Sequence, residues 1–461
     1  MQHNTGYYFK KSTIIPYLVL VPIIILSFSD MWAYDESWTY VNTIGNTPGE
    51  LIAYSKYKIA NHHVLNSLYF RWLQELGIKS IFFYRLLSLL TYFLYILFIT
   101  KLLYREEEEY KPDYWGLAAL YLWPYTIYFG QGRGYALAMV SLLMALYYMK
   151  TYLKSANQKH LLYFILAGSI SSLSIFSFCF PFIAMMIILG LYRFMEIVKS
   201  PVRILIFALY LPVLYYVFDK GKVISEYDLN IIGADSLFKG GTLSSLISFM
   251  GLLDFVDHKY FMIFKIALTA TLLPVLFIMI RRGKLYLEIL VALVTIALLV
   301  VSHVLFGSQY PLFRGTAYIL IMLYLSIVYT NRKGNIFVKA HLAVVSIVGV
   351  IYLGILISFM MQKNDNDVLN YVAEHGSNKI LVEDVHPATN AYDIMYHDNK
   401  IDLVQCEDDA MDIFERNIDS VNFIVCKAET AAEYGIDKRF EPIYPVARFF
   451  ECNKIFYMRK E

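Results

Sequence analysis

Residues 80–104 read SIFFYRLLSLLTYFLYILFITKLLY, an apolar run with one arginine near its start and one lysine near its end. About 20 apolar residues in a helix span the hydrocarbon core of a bilayer, so this stretch predicts a transmembrane helix. Comparable runs recur from the N-terminus to about residue 360. We therefore predict a polytopic α-helical membrane protein and not a series of soluble domains.

The composition of the 461-residue chain agrees with a membrane location. Apolar residues make up 58% of it and charged residues 17%, whereas a soluble domain carries about 25% charged residues. The formal net charge is +2, but residues 363–461 contain 11 Lys and Arg against 20 Asp and Glu. We expect these last residues to form an acidic, water-soluble domain. No basic stripe lies outside the membrane-flanking positions, which argues against nucleic acid as a partner.

Eleven apolar segments are predicted to cross the membrane. They lie near Thr13–Phe28, Ser80–Tyr104, Tyr114–Gly130, Tyr135–Leu153, Leu161–Phe178, Phe180–Ile197, Val202–Phe218, Tyr260–Ile280, Tyr286–Phe306, Leu312–Tyr329 and His341–Met360. A cytoplasmic N-terminus places 17 Lys and Arg residues in short inner loops, as the positive-inside rule requires. An odd number of spans then places the C-terminal tail outside the cytoplasm. The first segment lacks a small-residue cleavage site and is expected to be a retained helix.

Two domains are predicted, a membrane domain over residues 1–361 and an acidic extracytoplasmic α/β domain over residues 362–461. The membrane domain carries a first outer loop, 29–79, and a second outer loop, 219–259. In the tail, helical spacing covers Asp365–His375 and Asp408–Asn417, and strands are predicted at Lys379–Glu383, Ile401–Gln405, Val421–Cys426, Pro442–Phe450 and Asn453–Met458. We expect the final span to be the tail's only tether, which would leave the tail dispensable for the membrane fold.

The cysteines permit two interpretations. Cys406, Cys426 and Cys452 lie in the extracytoplasmic tail, where one disulfide and one free thiol are chemically allowed. Alternatively they are small buried hydrophobic residues, as is Cys179 in a membrane turn.

An acidic pair, Asp35-Glu36, follows the first span directly. Two carboxylates beside hydrocarbon are costly unless they are used, which favours a functional role. The alternative is that they cap the next helix, because acidic residues in a first turn suit the helix dipole.

Further along the first outer loop come His62 and His63, an amphipathic stretch and then Arg85 at the start of the second span. This order resembles the first outer loop of the GT-C superfamily of membrane glycosyltransferases, above all the branch that includes protein O-mannosyltransferases and aminoarabinose transferases. Gly130–Leu137, with Arg133 and Tyr135, looks like the family's opening of the fourth span, and Arg314 like its late outer-loop arginine. The chain departs from the family where His62-His63-Val64-Leu65 replaces the more common His-Pro-Pro-Leu and where Leu87 replaces the usual proline.

Three arginines occupy equivalent places in the predicted topology. Arg85, Arg133 and Arg314 each lie where a span begins at the outer face and runs inward. Each such helix end also presents its positive dipole and N–H groups, so together they predict an anion site. The alternative for any one of them is snorkelling to lipid headgroups.

The resemblance implies an inverting glycosyltransferase of a bacterial-type inner membrane, acting on its outer face. A polyprenyl-phosphate sugar would be the donor, and a glycan, lipid or protein the acceptor. Asp35 would be the catalytic base with Glu36 as its partner, Arg133, Arg314 and Arg85 would bind the donor phosphate, and His62, His63 and Tyr135 would contact substrate. A transporter or flippase for a lipid-linked saccharide, or an export subunit, is the alternative.

No metal site or cofactor is assigned from the sequence, although a divalent metal is possible. His62 and His63 are adjacent and so point to different sides of a helix or strand, unlike the paired ligands of a His-x-x-x-His motif. Acidic residues of the second outer loop could approach the site, but nothing selects one. They are Glu226, Asp228, Asp235, Asp254 and Asp257.

Overall fold

Long apolar helices make up most of the structure. The computed structural model describes residues 14–29, 33–56, 58–59, 62–104, 114–121, 126–227, 233–234, 236–237, 258–281, 286–311, 313–330, 335–360, 365–375, 379–383, 394–396, 401–406, 416–448 and 451–460. Within these ranges, five helical segments are long and apolar enough to cross a membrane: Ile81–Leu103, Gly134–Ser155, Phe176–Val198, Pro201–Glu226 and Leu287–Phe306. The chain is therefore a multi-pass membrane protein, as its composition predicts.

The helices up to the tail follow the predicted spans closely. They are α1 (Ile14–Phe28), α2 (Tyr34–Thr43), α3 (Pro48–Ala53), α4 (Val64–Glu75), α5 (Ile81–Tyr104), α6 (Tyr114–Tyr121), α7 (Thr126–Gly130), α8 (Gly134–Ser155), α9 (Gln158–Ser174), α10 (Cys179–Val198), α11 (Pro201–Ala208), α12 (Leu211–Tyr227), α13 (His258–Arg281), α14 (Leu287–Phe306), α15 (Ala317–Thr330) and α16 (Ile336–Met360). Short 3₁₀ helices cover Phe176–Phe178 and Phe313–Thr316. The number of spans stays a prediction, because five helices among the described residues are long and apolar enough to cross a membrane and eleven spans are predicted.

The chain divides into two compact units whose boundaries differ from the expected domains. The first unit contains Met1–Ile25, Gly49–Asn66 and Arg85–Leu353. The second contains Leu26–Pro48, Ser67–Tyr84 and Gly354–Glu461. The second unit thus combines the tail with two parts of the first outer loop.

In the first unit, small residues on α9 let the neighbouring helices approach closely. A Cβ on Gly168 would lie 2.0 Å from the ring of Phe182 in α10, so this ring rests directly on the glycine. Ser171 donates a hydrogen bond of 2.8 Å from Oγ to the carbonyl of Ala138 in α8. Small residues and interhelical hydrogen bonds of this kind stabilise helix packing in membranes.

A buried ion pair joins α8 to α14. The Lys150 Nζ lies 2.6 Å from Glu288 Oε1, and the two side chains are 7% and 1% exposed. The same ammonium lies 5.0 Å from the centre of the Tyr329 ring in α15. Since a charge in this position is costly without its partner, the pair fixes the register of three helices.

The tail of the second unit contains the expected small α/β fold. Its elements are α17 (Asp365–Glu374), β3 (Lys379–Glu383), β4 (Asp402–Cys406), β5 (Phe423–Lys427), α18 (Ala428–Glu433), α19 (Ile436–Arg439), β6 (Phe440–Arg448) and β7 (Glu451–Arg459). The sheet order is β4-β3-β5-β7-β6, with β3 parallel to β4 and β5, and with β7 antiparallel to β5 and β6. The strands predicted at Pro442–Phe450 and Asn453–Met458 correspond to β6 and β7. Most of the predicted helix at Asp408–Asn417 lies outside the described residues.

Side chains alternate across this sheet and form two separate cores. Along β3, Ile380 and Val382 face one core and Leu381 faces the other. Cys426 is a buried free thiol in the second core, which supports the small-hydrophobe interpretation for that residue. Cys179 is likewise free and buried. The side chains of Cys406 and Cys452 lie outside the described residues.

The first of these cores overturns the expectation that the final span alone tethers the tail. It includes Tyr40 from α2, Phe70 and Leu73 from α4, and Ile81 and Tyr84 from the start of α5. Helical periodicity in the first outer loop reveals an apolar face but not which surface covers it. The C-terminal sheet is that surface.

Breaking the buried ion pair should destabilise the protein strongly. Removal of the carboxylate in Glu288→Leu leaves the Lys150 charge buried, and we expect a loss of about 3–5 kcal/mol. The double variant Lys150→Met/Glu288→Leu should recover most of that loss, because neither charge is left. Thermal unfolding in detergent micelles measures both, and equal melting temperatures for the single and double variants would contradict the assigned role.

Candidate functional site

The acidic pair lies in the first turn of α2, in the second unit. Glu36 is fully buried, and its Oε2 accepts a hydrogen bond of 3.3 Å from the backbone N–H of Ala33. A glutamate at the third helical position commonly caps its helix in this way. The capping alternative is therefore confirmed for Glu36.

Asp35 occupies a different environment from its neighbour. Its side chain is half-buried, and its backbone carbonyl accepts a hydrogen bond of 2.9 Å from Thr39 Oγ1. Glu36 supplies the capping contact of this first turn. The two acids of the pair thus differ in burial.

The two histidines lie in the first unit, just before α4, and contact different neighbours. His62 is 2% exposed, and its ring lies 4.1 Å from that of Tyr54, measured between centroids. His63 is also buried, and its ring meets Tyr135 edge-on at 5.2 Å. Their divergence agrees with the expectation for adjacent histidines.

Arg133 immediately precedes α8 and is built into an aromatic cluster. Its backbone is extended, with φ −133° and ψ 153°, at the N-cap position of the helix. The guanidinium carbon lies 4.9 Å from the centre of the Tyr135 ring, which in turn stacks on Tyr128 at 5.1 Å. Arginine over a tyrosine face is a favourable cation–π contact. The His63 ring meets the same Tyr135 ring, so the three side chains form one cluster, while their roles toward a substrate stay predictions.

Gly134 allows this cluster to close. A Cβ at this position would lie 2.7 Å from the carbonyl oxygen of Ser174 and 3.0 Å from the Cβ of His63. Any larger residue would therefore push α8 away from both the end of α9 and the histidine loop. The glycine lets the beginning of α8 pack against His63.

Arg85 lies in the first turns of α5 and is 2% exposed, while Arg133 is 4% exposed. One turn after Arg85, Ser88 donates a 3.4 Å hydrogen bond from Oγ to the carbonyl of Arg133, so the two arginine-bearing segments are in contact. A snorkelling arginine keeps its guanidinium in the polar headgroup region. Because both side chains are enclosed by protein, snorkelling is the wrong interpretation for either of them.

The backbone of Arg314 lies in the 3₁₀ helix Phe313–Thr316, while its side chain lies outside the described residues. Two contacts fix this segment. β1 (Gly233–Ala234) pairs antiparallel with β2 (Tyr310–Pro311), and Ser177 Oγ donates a 3.1 Å hydrogen bond to the carbonyl of Gly315. The second outer loop therefore runs beside the Arg314 segment. Of the loop's acids, Glu226 is exposed at the end of α12, and Asp228, Asp235, Asp254 and Asp257 lie outside the described residues.

Sequence reasoning missed two residues that support the cluster. Tyr54 is buried with φ +55°, a conformation that a bulky residue adopts only when its surroundings hold it there; its hydroxyl donates to the carbonyl of His62. Asn66 donates a 2.8 Å hydrogen bond from Nδ2 to the carbonyl of Gly132. No local signal in the sequence identifies either contact. The Asn66 bond joins segments that are distant in the chain, and the Tyr54 bond depends on strained backbone.

No group of three or more His, Cys, Asp or Glu side chains is arranged to hold a metal ion in the part of the chain that the structure describes. His62 and His63 contact aromatic rings instead.

These features define a multi-pass membrane protein with buried arginines at the ends of its helices. No protein-family model and no curated protein matches the chain. The chain is similar to the crystal structure of ArnT from Cupriavidus metallidurans in the apo state, with a TM-score of 0.52 and 10% sequence identity over 96% of this chain and 97% of that chain. The structure of the same protein bound to undecaprenyl phosphate gives a TM-score of 0.49 and 9% identity over the same shares.

Replacing Gly134 should separate α8 from the histidine loop. Gly134→Ala puts a methyl group against the Ser174 carbonyl and His63, and overpacking of this kind costs about 1–3 kcal/mol. Gly190→Ala in α10 is the matched control, since a Cβ there meets nothing within 4 Å and alanine favours a helix. Thermal unfolding of the purified variants compares them. A melting temperature for Gly134→Ala at or above that of the control would contradict the close contact.

Proposed function

We propose that this protein is a glycosyltransferase that moves a sugar from a polyprenyl-phosphate donor to an acceptor outside the cytoplasm, with inversion at the anomeric carbon. The observation that carries the proposal is the burial of Arg85 and Arg133 in contacting segments, both at helix beginnings. The GT-C fold supports the reaction class.

A lipid phosphate is the anion that best fits the two arginines. The guanidinium group binds phosphate oxygens through paired N–H donors, and the N-terminus of α8 adds the positive end of a helix dipole. Arg85 lies in, and Arg133 directly precedes, a helix that is apolar enough to cross a membrane, which suits a ligand that carries a lipid chain. Arg314 is proposed as a third phosphate ligand through the family resemblance.

The proposed chemistry needs one base and a stabilised leaving group. Asp35 would take the proton of the acceptor hydroxyl, and the arginines would stabilise the charge that develops on the departing phosphate. The capping contact of Glu36 assigns it the role of holding the turn that carries Asp35. His62, His63 and Tyr135 are proposed to contact substrate.

The proposed location is the inner membrane of a bacterial-type cell, with the N-terminus in the cytoplasm. The shared core of the second unit supports one part of this topology. Because the first outer loop and the tail contribute to the same core, they must lie on the same side of the membrane. If that side is the outer one and the N-terminus is cytoplasmic, an odd number of spans separates the N-terminus from the first outer loop and from the tail.

A transfer assay separates this proposal from a flippase or an export subunit. Purified protein incubated with polyprenyl-phosphate sugars and acceptor should release polyprenyl phosphate, whereas a protein that only moves or binds the lipid should leave the sugar attached. The donors are polyprenyl-phosphate sugars from membrane extracts whose sugar composition is defined. Absence of release with every donor would overturn the enzyme assignment.

The base assignment predicts a large loss in Asp35→Asn. A general base contributes about 10²–10⁴-fold to the rate, so we expect the variant to retain less than about a hundredth of the wild-type rate while it stays folded. Glu36→Gln should be milder, because the amide oxygen can still accept from Ala33. Glu50→Gln is the control, since this acid of the same loop is paired with Lys56 on the surface. Equal rates for Asp35→Asn and Glu50→Gln would remove Asp35 from the mechanism.

A further inference from the structure

The helix that carries Asp35 is too short to be stable alone. α2 has ten residues, and isolated helices shorter than about 12–15 residues are marginal in water. Its conformation therefore depends on packing within the second unit. Asp35 is the second residue of the helix, and the residue that anchors the helix, Tyr40, lies five positions later.

Tyr40 packs into an aromatic group made by three segments. Its ring meets that of Tyr84 edge-on at 5.2 Å, and Phe70 meets Tyr84 at 4.9 Å. Burial, followed by the neighbouring Tyr396 of the tail, raises the pKa of Tyr40 to about 12, while a hydrogen bond with Tyr84 lowers it. A tyrosine enclosed in this way is held in one position.

The C-terminal end of α2 is fixed by hydrogen bonds as well. Gln74 of α4 donates from Nε2 to the carbonyl of Tyr40 at 2.9 Å and to Thr43 Oγ1 at 3.0 Å. The last carbonyls of a helix have no partner within it, so Gln74 satisfies one of them. These two hydrogen bonds join α2 to α4 directly, without any contribution from the sheet.

One face of the C-terminal sheet completes this packing. Ile380 and Val382 of β3, with Phe423 and Val425 of β5, belong to the same buried core as Tyr40. The residues between them, Leu381 and Ile424, face the opposite core. The sheet thus has one face that supports the outer-loop helices and another that does not.

We propose that the C-terminal domain positions the catalytic acid: the sheet face of Ile380, Val382, Phe423 and Val425 holds α2 through Tyr40, and so sets the place of Asp35. The catalytic role of Asp35 rests on the proposed function. The mechanical coupling of the sheet to α2 does not depend on that function.

Neighbouring residues on β3 provide the test. Val382→Ala opens a cavity beneath the outer-loop helices, and Leu381→Ala opens a larger one in the opposite core. Hydrogen exchange of the full-length protein in nanodiscs reports on residues 34–43. We expect amide exchange there to rise about tenfold in Val382→Ala and to change less than twofold in Leu381→Ala. The kcat for sugar transfer should fall in Val382→Ala with the donor KM unchanged.

A second variant tests the proposal even if Val382→Ala fails to fold. Gln74→Leu removes the two hydrogen bonds to α2 without altering the tail, and it should speed exchange in the last turn of α2. Equal exchange of α2 in Val382→Ala and Leu381→Ala, with no effect of Gln74→Leu, would overturn the proposal.

The hydrogen-exchange measurement and the sugar-transfer assay test two separate claims. An inactive wild-type protein that still shows the exchange contrast would refute the proposed function and leave the coupling of sheet to helix intact. An active wild-type protein without the contrast would refute the positioning role alone.

Discussion

The burial of two permanently charged arginines is the constraint on which the first unit depends. A guanidinium is not deprotonated in proteins, and withdrawing an ion from water costs several kcal/mol. Arg85 and Arg133 are nonetheless enclosed by protein. The surrounding structure holds them there: Ser88 links their segments, Tyr135 supports one guanidinium, and Gly134 lets the histidine loop close over the helix end. The proposed site for a lipid phosphate would give this arrangement a use.

The second unit supports α2, the short helix outside the membrane core that carries the acidic pair. Glu36 stabilises the beginning of α2, and Gln74 and Tyr40 fix its end. The alternation of side chains along β3 gives the sheet two faces, and only one of them carries the outer-loop helices. The tail is therefore part of the scaffold of the first outer loop and not an appended domain.

Local patterns in the sequence predict much of this molecule. Apolar runs locate the long helices, and alternation locates β3 and the β6–β7 hairpin, because both depend on neighbouring residues. The roles of His63, Arg133 and Tyr135 come from the resemblance of their motifs and stay predictions. The core contributed by Tyr40 and Phe70 was not predictable, because an amphipathic helix reveals that one face is buried without revealing its partner. The strained Tyr54 and the hydrogen bond from Asn66 depend on tertiary contacts in the same way.

Binding of polyprenyl phosphate to Arg133 variants tests the central claim most directly. The affinity should fall about tenfold or more in Arg133→Ala, since a hydrogen bond to a charged group is worth about 1.5–3 kcal/mol, and Arg133→Lys should recover only part of it. Arg281→Ala, which removes an exposed arginine at the end of α13, should bind as the wild type does. Uncharged polyprenol should not distinguish the four proteins. Equal affinities of all four for polyprenyl phosphate would contradict a phosphate site at the beginning of α8.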